Sequence, residues 1–235
     1  MLDVIVFDAD DTLWHSEPLY RHVESRLLEM VSRYGEGAWT SDDVYAVEKR
    51  NLEYFGYGAK GFALSLIETA IELTRGEVRG RDVQTIIDMV KEMMRSPVQL
   101  LEHAGEVVAR LSESHRLMLL TKGDLFEQEA KIARSGLAER FGIVEIVSDK
   151  TTDVYRAVFA RHGLDARRVL MVGNSLRSDI LPVVELGGYG AHIPYPTTWV
   201  HELVPPEALA GRDYFELESL AQLPDLVERL EREVG

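Results

Sequence analysis

The chain has 235 residues, 46% of them hydrophobic, enough to fill one large or two modest cores. Its 40 acidic against 26 basic residues give a net charge of −14, which repels nucleic acid and anionic membrane surfaces. With no cysteine, disulfides, thiolate catalysis and cysteine-ligated zinc are excluded, and with no long apolar run or basic-then-apolar leader a cytoplasmic protein is expected.

In chain order, the first apolar run, Val4–Phe7, predicts a strand, and Asp8, Asp10, Asp11 and Thr12 follow it directly. Carboxylates this close repel one another, and a hard divalent cation with oxygen ligands relieves that repulsion. An Asp-rich turn or helix cap is the plainer alternative. The Asp-x-Asp-x-Thr string arises by chance in about one chain in twenty-five of this length at average composition, so it needs support from elsewhere.

Residues 14–95 hold no comparable strand run. Helical periodicity predicts helices at 18–34, 41–54, 62–74 and 80–94, together an inserted four-helix bundle. Ser41 with Asp42 and Asp43 reads as one helix start and residues 79–82 as another. Gly56, Gly58 and Gly61 interrupt the pattern and predict a turned loop over 55–62.

Beyond the insertion, strands are predicted at 117–120, 143–147, 169–172 and 189–193, with helices at 125–135 and 154–162 stopped by Gly136 and Gly163. A two-proline loop at 194–199 and a helix at 217–230 end the pattern. Nearly continuous apolar strands separated by helices predict a Rossmann-like, doubly wound parallel α/β sheet, with functional residues at the carboxyl ends of its strands. Those ends are polar. Thr121, Lys122 and Gly123 offer a hydroxyl and backbone N–H groups to phosphate oxygens; Lys150 brings a cation; Asn174 and Asp179 bring oxygen ligands. The histidines show no metal-ligand spacing.

These four sets, in this order and spacing, resemble the four motifs of the haloacid dehalogenase superfamily, and the helical insertion resembles its cap. The resemblance implies an α/β catalytic core of residues 1–13 and 96–235 and a helical cap of residues 14–95. It implies a magnesium-dependent phosphatase hydrolysing a small phosphorylated metabolite through an aspartyl-phosphate. Asp8 matches the nucleophile and Asp10 the general acid and base. Thr121, with Lys122 and Gly123, matches the phosphate-binding motif, and Lys150 the neutralising lysine, expected also to keep Asp8 ionised. Asp8, Asp10 through its main chain, Asn174 and Asp179 match the Mg2+ site. Lys60, in the mid-insertion loop, is expected to meet a second anionic group of the substrate, with Tyr57 or Phe62 beside it. Trp14 and His15 are read either as hinge and pocket wall or as simple packing.

One departure matters: the superfamily often has Asp where this chain has Asn174. The amide still offers an oxygen, and whether Asp179 ligates directly or through water stays open. A dehalogenase is disfavoured, because Asp10 supplies a proton that an alkoxide leaving group needs and a halide does not. A phosphomutase, which shares the intermediate, and a non-catalytic phosphate-binding module are the alternatives.

Overall fold

The computed structural model describes residues 2–35 and 37–234. Residues 1, 36 and 235, which the expected core and cap ranges include, lie outside the described residues. Two compact units are present: one joins Met1–His15, Val98–Lys122 and Gln128–Gly235, and the other joins Ser16–Pro97 with Gly123–Glu127.

The first unit is a doubly wound α/β layer. Its strands are β1 (Val4–Phe7), β2 (Leu117–Lys122), β3 (Ile143–Val147), β4 (Val169–Gly173), β5 (Tyr189–His192) and β6 (Phe215–Glu216), all parallel, in the order β3-β2-β1-β4-β5-β6. Alternate strand residues bury on opposite faces, which is why the runs look continuously apolar in sequence. Ile5, Phe7, Leu117, Leu119, Leu170 and Val172 pack with α5 (Ala104–Ser112) and α9 (Leu223–Val234). Val4, Val6, Met118, Leu120, Val169 and Met171 pack with α7 (Thr152–Arg161) and α8 (Leu181–Glu185).

The chain runs outward from β1 through β2 to β3, then jumps to β4 on β1's other side. The carboxyl ends of β1 and β4 therefore form the switch point where a doubly wound sheet opens a crevice. The segments leaving and re-entering this unit are stitched together: His15 N–H donates to the Gln99 carbonyl (3.0 Å) and Leu101 N–H to the Leu13 carbonyl (2.9 Å), with Trp14 bridging Leu100 antiparallel.

The second unit packs α1 (Glu17–Val31), α2 (Ser41–Phe55), α3 (Ala59–Leu73) and α4 (Gly80–Arg95) around Leu27, Val44, Phe62, Leu66, Ile86 and Met89. Helix α3 starts at Ala59, three residues before its predicted start at 62. Its first N–H, on Ala59, donates to Glu127 Oε2 at 2.7 Å, so a carboxylate satisfies an orphan donor and complements the helix dipole. Lys60 consequently stands in a helical first turn, not in a free loop.

Several features escape the sequence pattern, α8 among them. α5 carries Ala104, Val107, Val108 and Leu111 at helical spacing; β6 is two residues long; and β2 continues through Thr121 and Lys122, which pair with Ile146 and Val147. Among the described residues no helix is long and apolar enough to cross a membrane.

Candidate active site

Asp8 is the first residue past β1, its N–H donating to the Val172 carbonyl of β4 at 2.9 Å. The chain then turns sharply: the Ala9 carbonyl accepts from the N–H groups of Thr12, Leu13 and Trp14, and Asp11 N–H donates to the Trp14 carbonyl at 2.7 Å. Asp11 pays for this turn with a φ of 60°, a left-handed conformation that costs an L-residue about 1–2 kcal/mol and that Asp tolerates better than most.

Two shared groups draw the strand ends together. Thr12 Oγ1 lies 3.0 Å from Asp8 Oδ2 and 3.2 Å from Asn174 Oδ1, and accepts the Asn174 N–H at 3.0 Å. Its single hydroxyl proton thus serves one of two oxygens at a time. Lys150 Nζ pairs with Asp8 Oδ1 and, at 2.7 Å, with Asp179 Oδ1, all three side chains being buried. The other Asp179 oxygen, Oδ2, accepts the Ser175 N–H at 3.0 Å. Any side chain at Gly173 would collide with the Asp179 carboxylate, so that strand end must be glycine.

One ammonium serves two buried carboxylates. Burial pushes the Asp8 carboxyl up to about 7; Lys150 pulls it down and Asp179 adds to the rise. The expectation that Lys150 keeps Asp8 ionised is therefore only half the balance, because Asp179 competes for the same charge. Lys150 itself is held well above its ordinary value: burial opposes its charge, but Asp179 and Asp8 outweigh it.

Among the described residues no three of His, Cys, Asp and Glu converge as a metal cage. The donors that converge are the Asp8 and Asp179 carboxylates and the Asn174 amide oxygen, an all-oxygen set short of one positive charge. That set suits a hard cation such as Mg2+, which takes few protein ligands and keeps water on the rest.

Asp10 faces a different set of partners. Trp14 Nε1 donates to its Oδ1 at 2.7 Å, Gln128 Nε2 to its Oδ2 at 2.9 Å, and Lys131 Nζ to both oxygens at 2.8 and 2.7 Å. Burial works against its charge, yet Lys131 and these hydrogen bonds outweigh burial and hold its pKa below the ordinary carboxylate value. Gln128 and Lys131 lie three residues apart on α6 (Leu125–Ser135), so they share one helix face; Gln128 also donates to the Lys122 carbonyl at 2.9 Å.

Thr121 is buried at the end of β2; Phe7 pairs with Leu119, which puts Thr121 on the same carboxyl edge as Asp8. The Lys122 ammonium turns elsewhere, pairing with Glu202 and donating to Ser178 Oγ at 2.9 Å. Gly123, with a φ of 139°, makes the turn after β2 and groups with the helical unit. In that unit Lys60 pairs with Asp124 at 2.9 Å and lies 5.8 Å from the Phe126 ring centre. Trp14 is buried in the first core, and His15 Nδ1 meets the Tyr195 hydroxyl at 2.7 Å.

The family model for haloacid dehalogenase-like hydrolases matches residues 2–187. The chain is a haloacid dehalogenase-like hydrolase. Among solved structures, one of a haloacid dehalogenase-like family hydrolase from Xanthomonas campestris is 39% identical, with a TM-score of 0.88 over 100% of this chain and 94% of that one. A predicted phosphoglycolate phosphatase from Haemophilus somnus is 16% identical, TM-score 0.66, over 96% of this chain and 98% of that one. The L-2-haloacid dehalogenase of Xanthobacter autotrophicus is 20% identical, TM-score 0.65, over 97% of this chain and 99% of that one. No curated protein sequence matches the chain. The fold of this hydrolase is thus shared by proteins named for two chemistries, and the choice between them rests on side chains.

Proposed function

We propose that this hydrolase removes phosphate from a small phosphomonoester, in a magnesium-dependent reaction, by way of an aspartyl-phosphate on Asp8. The observation that carries the reading is Asp10, a second carboxylate two residues past the nucleophile and gripped by Trp14, Gln128 and Lys131. An alkoxide leaving group needs a proton at bond cleavage and a halide needs none, so an oriented acid and base beside Asp8 favours phosphoester cleavage over dehalogenation.

An Asp8 carboxylate oxygen attacks phosphorus in line with the leaving oxygen, which takes a proton from Asp10. Lys131 favours the anionic form of Asp10, and the incoming phosphate dianion works in the opposite direction, raising its proton affinity when a proton is required. Asp10, then a base, takes a proton from the water that attacks phosphorus, freeing phosphate and restoring Asp8. The Thr121 hydroxyl and Lys150 ammonium stabilise the trigonal phosphoryl group. Asp8, the Asp10 carbonyl, Asn174 and Asp179 would hold Mg2+, which would supply positive charge to lower the repulsion between phosphate and Asp8.

Phosphate release, measured over a panel of sugar phosphates, phosphoglycolate and nucleoside monophosphates with a 2-haloacid as control, tests the reading. Turnover of the haloacid with no phosphomonoester cleaved would overturn it, and an isomerised sugar phosphate without free phosphate would make the chain a mutase. On a substrate so found, Asp10→Asn is expected to lower kcat by about 10²–10⁴-fold; an unchanged rate would remove Asp10 from proton transfer. EDTA is expected to silence the enzyme and added Mg2+ to restore it, whereas a full rate in chelator would end the metal assignment.

A further inference from the structure

Glu202 closes a short helical turn, Val200–Glu202, in the loop beyond β5, and the reaction above makes no use of it. Its carboxylate is nevertheless buried and fully engaged. Lys122 Nζ pairs with Oε1, while Ser178 Oγ donates to Oε2 at 2.5 Å and Ser175 Oγ donates to the same oxygen. Burial opposes the charge, but Lys122 and the two hydroxyls outweigh it and hold the carboxyl at about 2, so Glu202 is an anion at any working pH.

Its partners are informative. Ser175 and Ser178 lie within the segment that runs from Asn174 to Asp179. Residues Leu176–Ile180 of that segment form a π turn, a rare conformation that occurs frequently at functional sites. Ser175 Oγ also accepts the Ser178 N–H at 2.9 Å, so one of the two hydroxyls that Glu202 grips is tied into the backbone of the turn, while the other, on Ser178, accepts from Lys122. The same loop is fastened a second time, Arg177 donating to the His201 carbonyl at 2.9 Å. From β5, His192 Nε2 meets the Asn174 carbonyl at 3.1 Å.

We propose that Glu202 is a positioning residue: it braces residues 174–179 from behind so that Asn174 and Asp179 present their oxygens to a divalent cation, and it keeps the Lys122 ammonium off that cation. The proposal rests on reading Asn174 and Asp179 as cation ligands. Partners of metal ligands commonly set affinity by about 10–100-fold, and this carboxylate reaches the turn through two hydroxyls at once.

The test is Mg2+ binding to the substrate-free chain, by titration calorimetry, for the parent, Glu202→Ala, Glu202→Gln and Glu202→Ala/Lys122→Met. Both single variants are expected to weaken Mg2+ binding by about 10–100-fold. The double variant is expected to regain part of the loss, because the stray ammonium is gone while the brace is still missing. For the two Glu202 single variants, KM for a phosphomonoester at saturating Mg2+ should stay at the parent value, a split that general loosening of the fold would not give. Should Glu202→Ala fail to fold, Glu202→Gln and Ser178→Ala decide, since neither leaves a cavity at the carboxylate. A folded Glu202→Gln that binds Mg2+ as tightly as the parent overturns the proposal alone. A parent chain that binds no Mg2+ overturns the cation-ligand reading and the proposal with it.

Discussion

Asp8→Asn is expected to fold, to lose at least about 10⁴-fold in kcat, and to melt no lower than the parent. The activity loss follows from removing the attacking oxygen's charge. The stability follows from the share-out at the site, where one ammonium, that of Lys150, is divided between Asp8 and Asp179. An amide at position 8 costs far less to bury than a carboxylate, and Lys150 keeps its pair with Asp179. Steady-state kinetics beside a thermal melt in chelator check both halves; a variant that still turns over removes Asp8 as nucleophile.

Lys150→Met should have the opposite profile in stability and a similar one in activity. Removing the ammonium leaves two carboxylates facing each other in a buried site, and breaking a buried pair from one side costs about 3–5 kcal/mol. Urea unfolding in chelator reads that loss. Because Asp179 is the closer of the two to complete burial, Lys150→Met/Asp179→Asn is expected to recover much of it, and a single variant as stable as the parent would show that the pair contributes nothing. Turnover should fall by about 10²–10³-fold, the usual effect of losing one charge-stabilising donor.

Much of this architecture is legible in the sequence because a parallel strand buried on both faces must be apolar along its length and polar where it stops. Asp8, Lys150, Asn174 and Asp179 follow such stops and Thr121 is the last residue but one of β2, so the parallel sheet places them along its carboxyl edge. Lys131 and Gln128 are not legible in the same way. A glutamine and a lysine three residues apart on a helix look like any solvated face, and only the packing of α6 against the sheet turns that face toward Asp10. Glu202 is hidden for a related reason: it sits in a proline-rich loop whose periodicity predicts nothing, and its partners are up to 80 residues away in sequence. The start of α3 misleads because Gly58 and Gly61 read as breakers, while the carboxylate of Glu127 caps the helix between them. Helix α5 was open to view, its four apolar residues falling on one stripe, and β6, at two residues, was beyond any periodic signal.

The pairing of Leu13 with Leu101 and of His15 with Gln99 also bears on how such a protein assembles and diversifies. Strand β1 is central, yet the chain must travel from Phe7 to Leu117 before its neighbour β2 is made. Two main-chain bonds clasp the ends of that excursion, so the entropy of closing it is met at the clasp and grows only as the logarithm of what lies beyond. The intervening segment can lengthen, shrink or change its sequence at small cost to the register of β1.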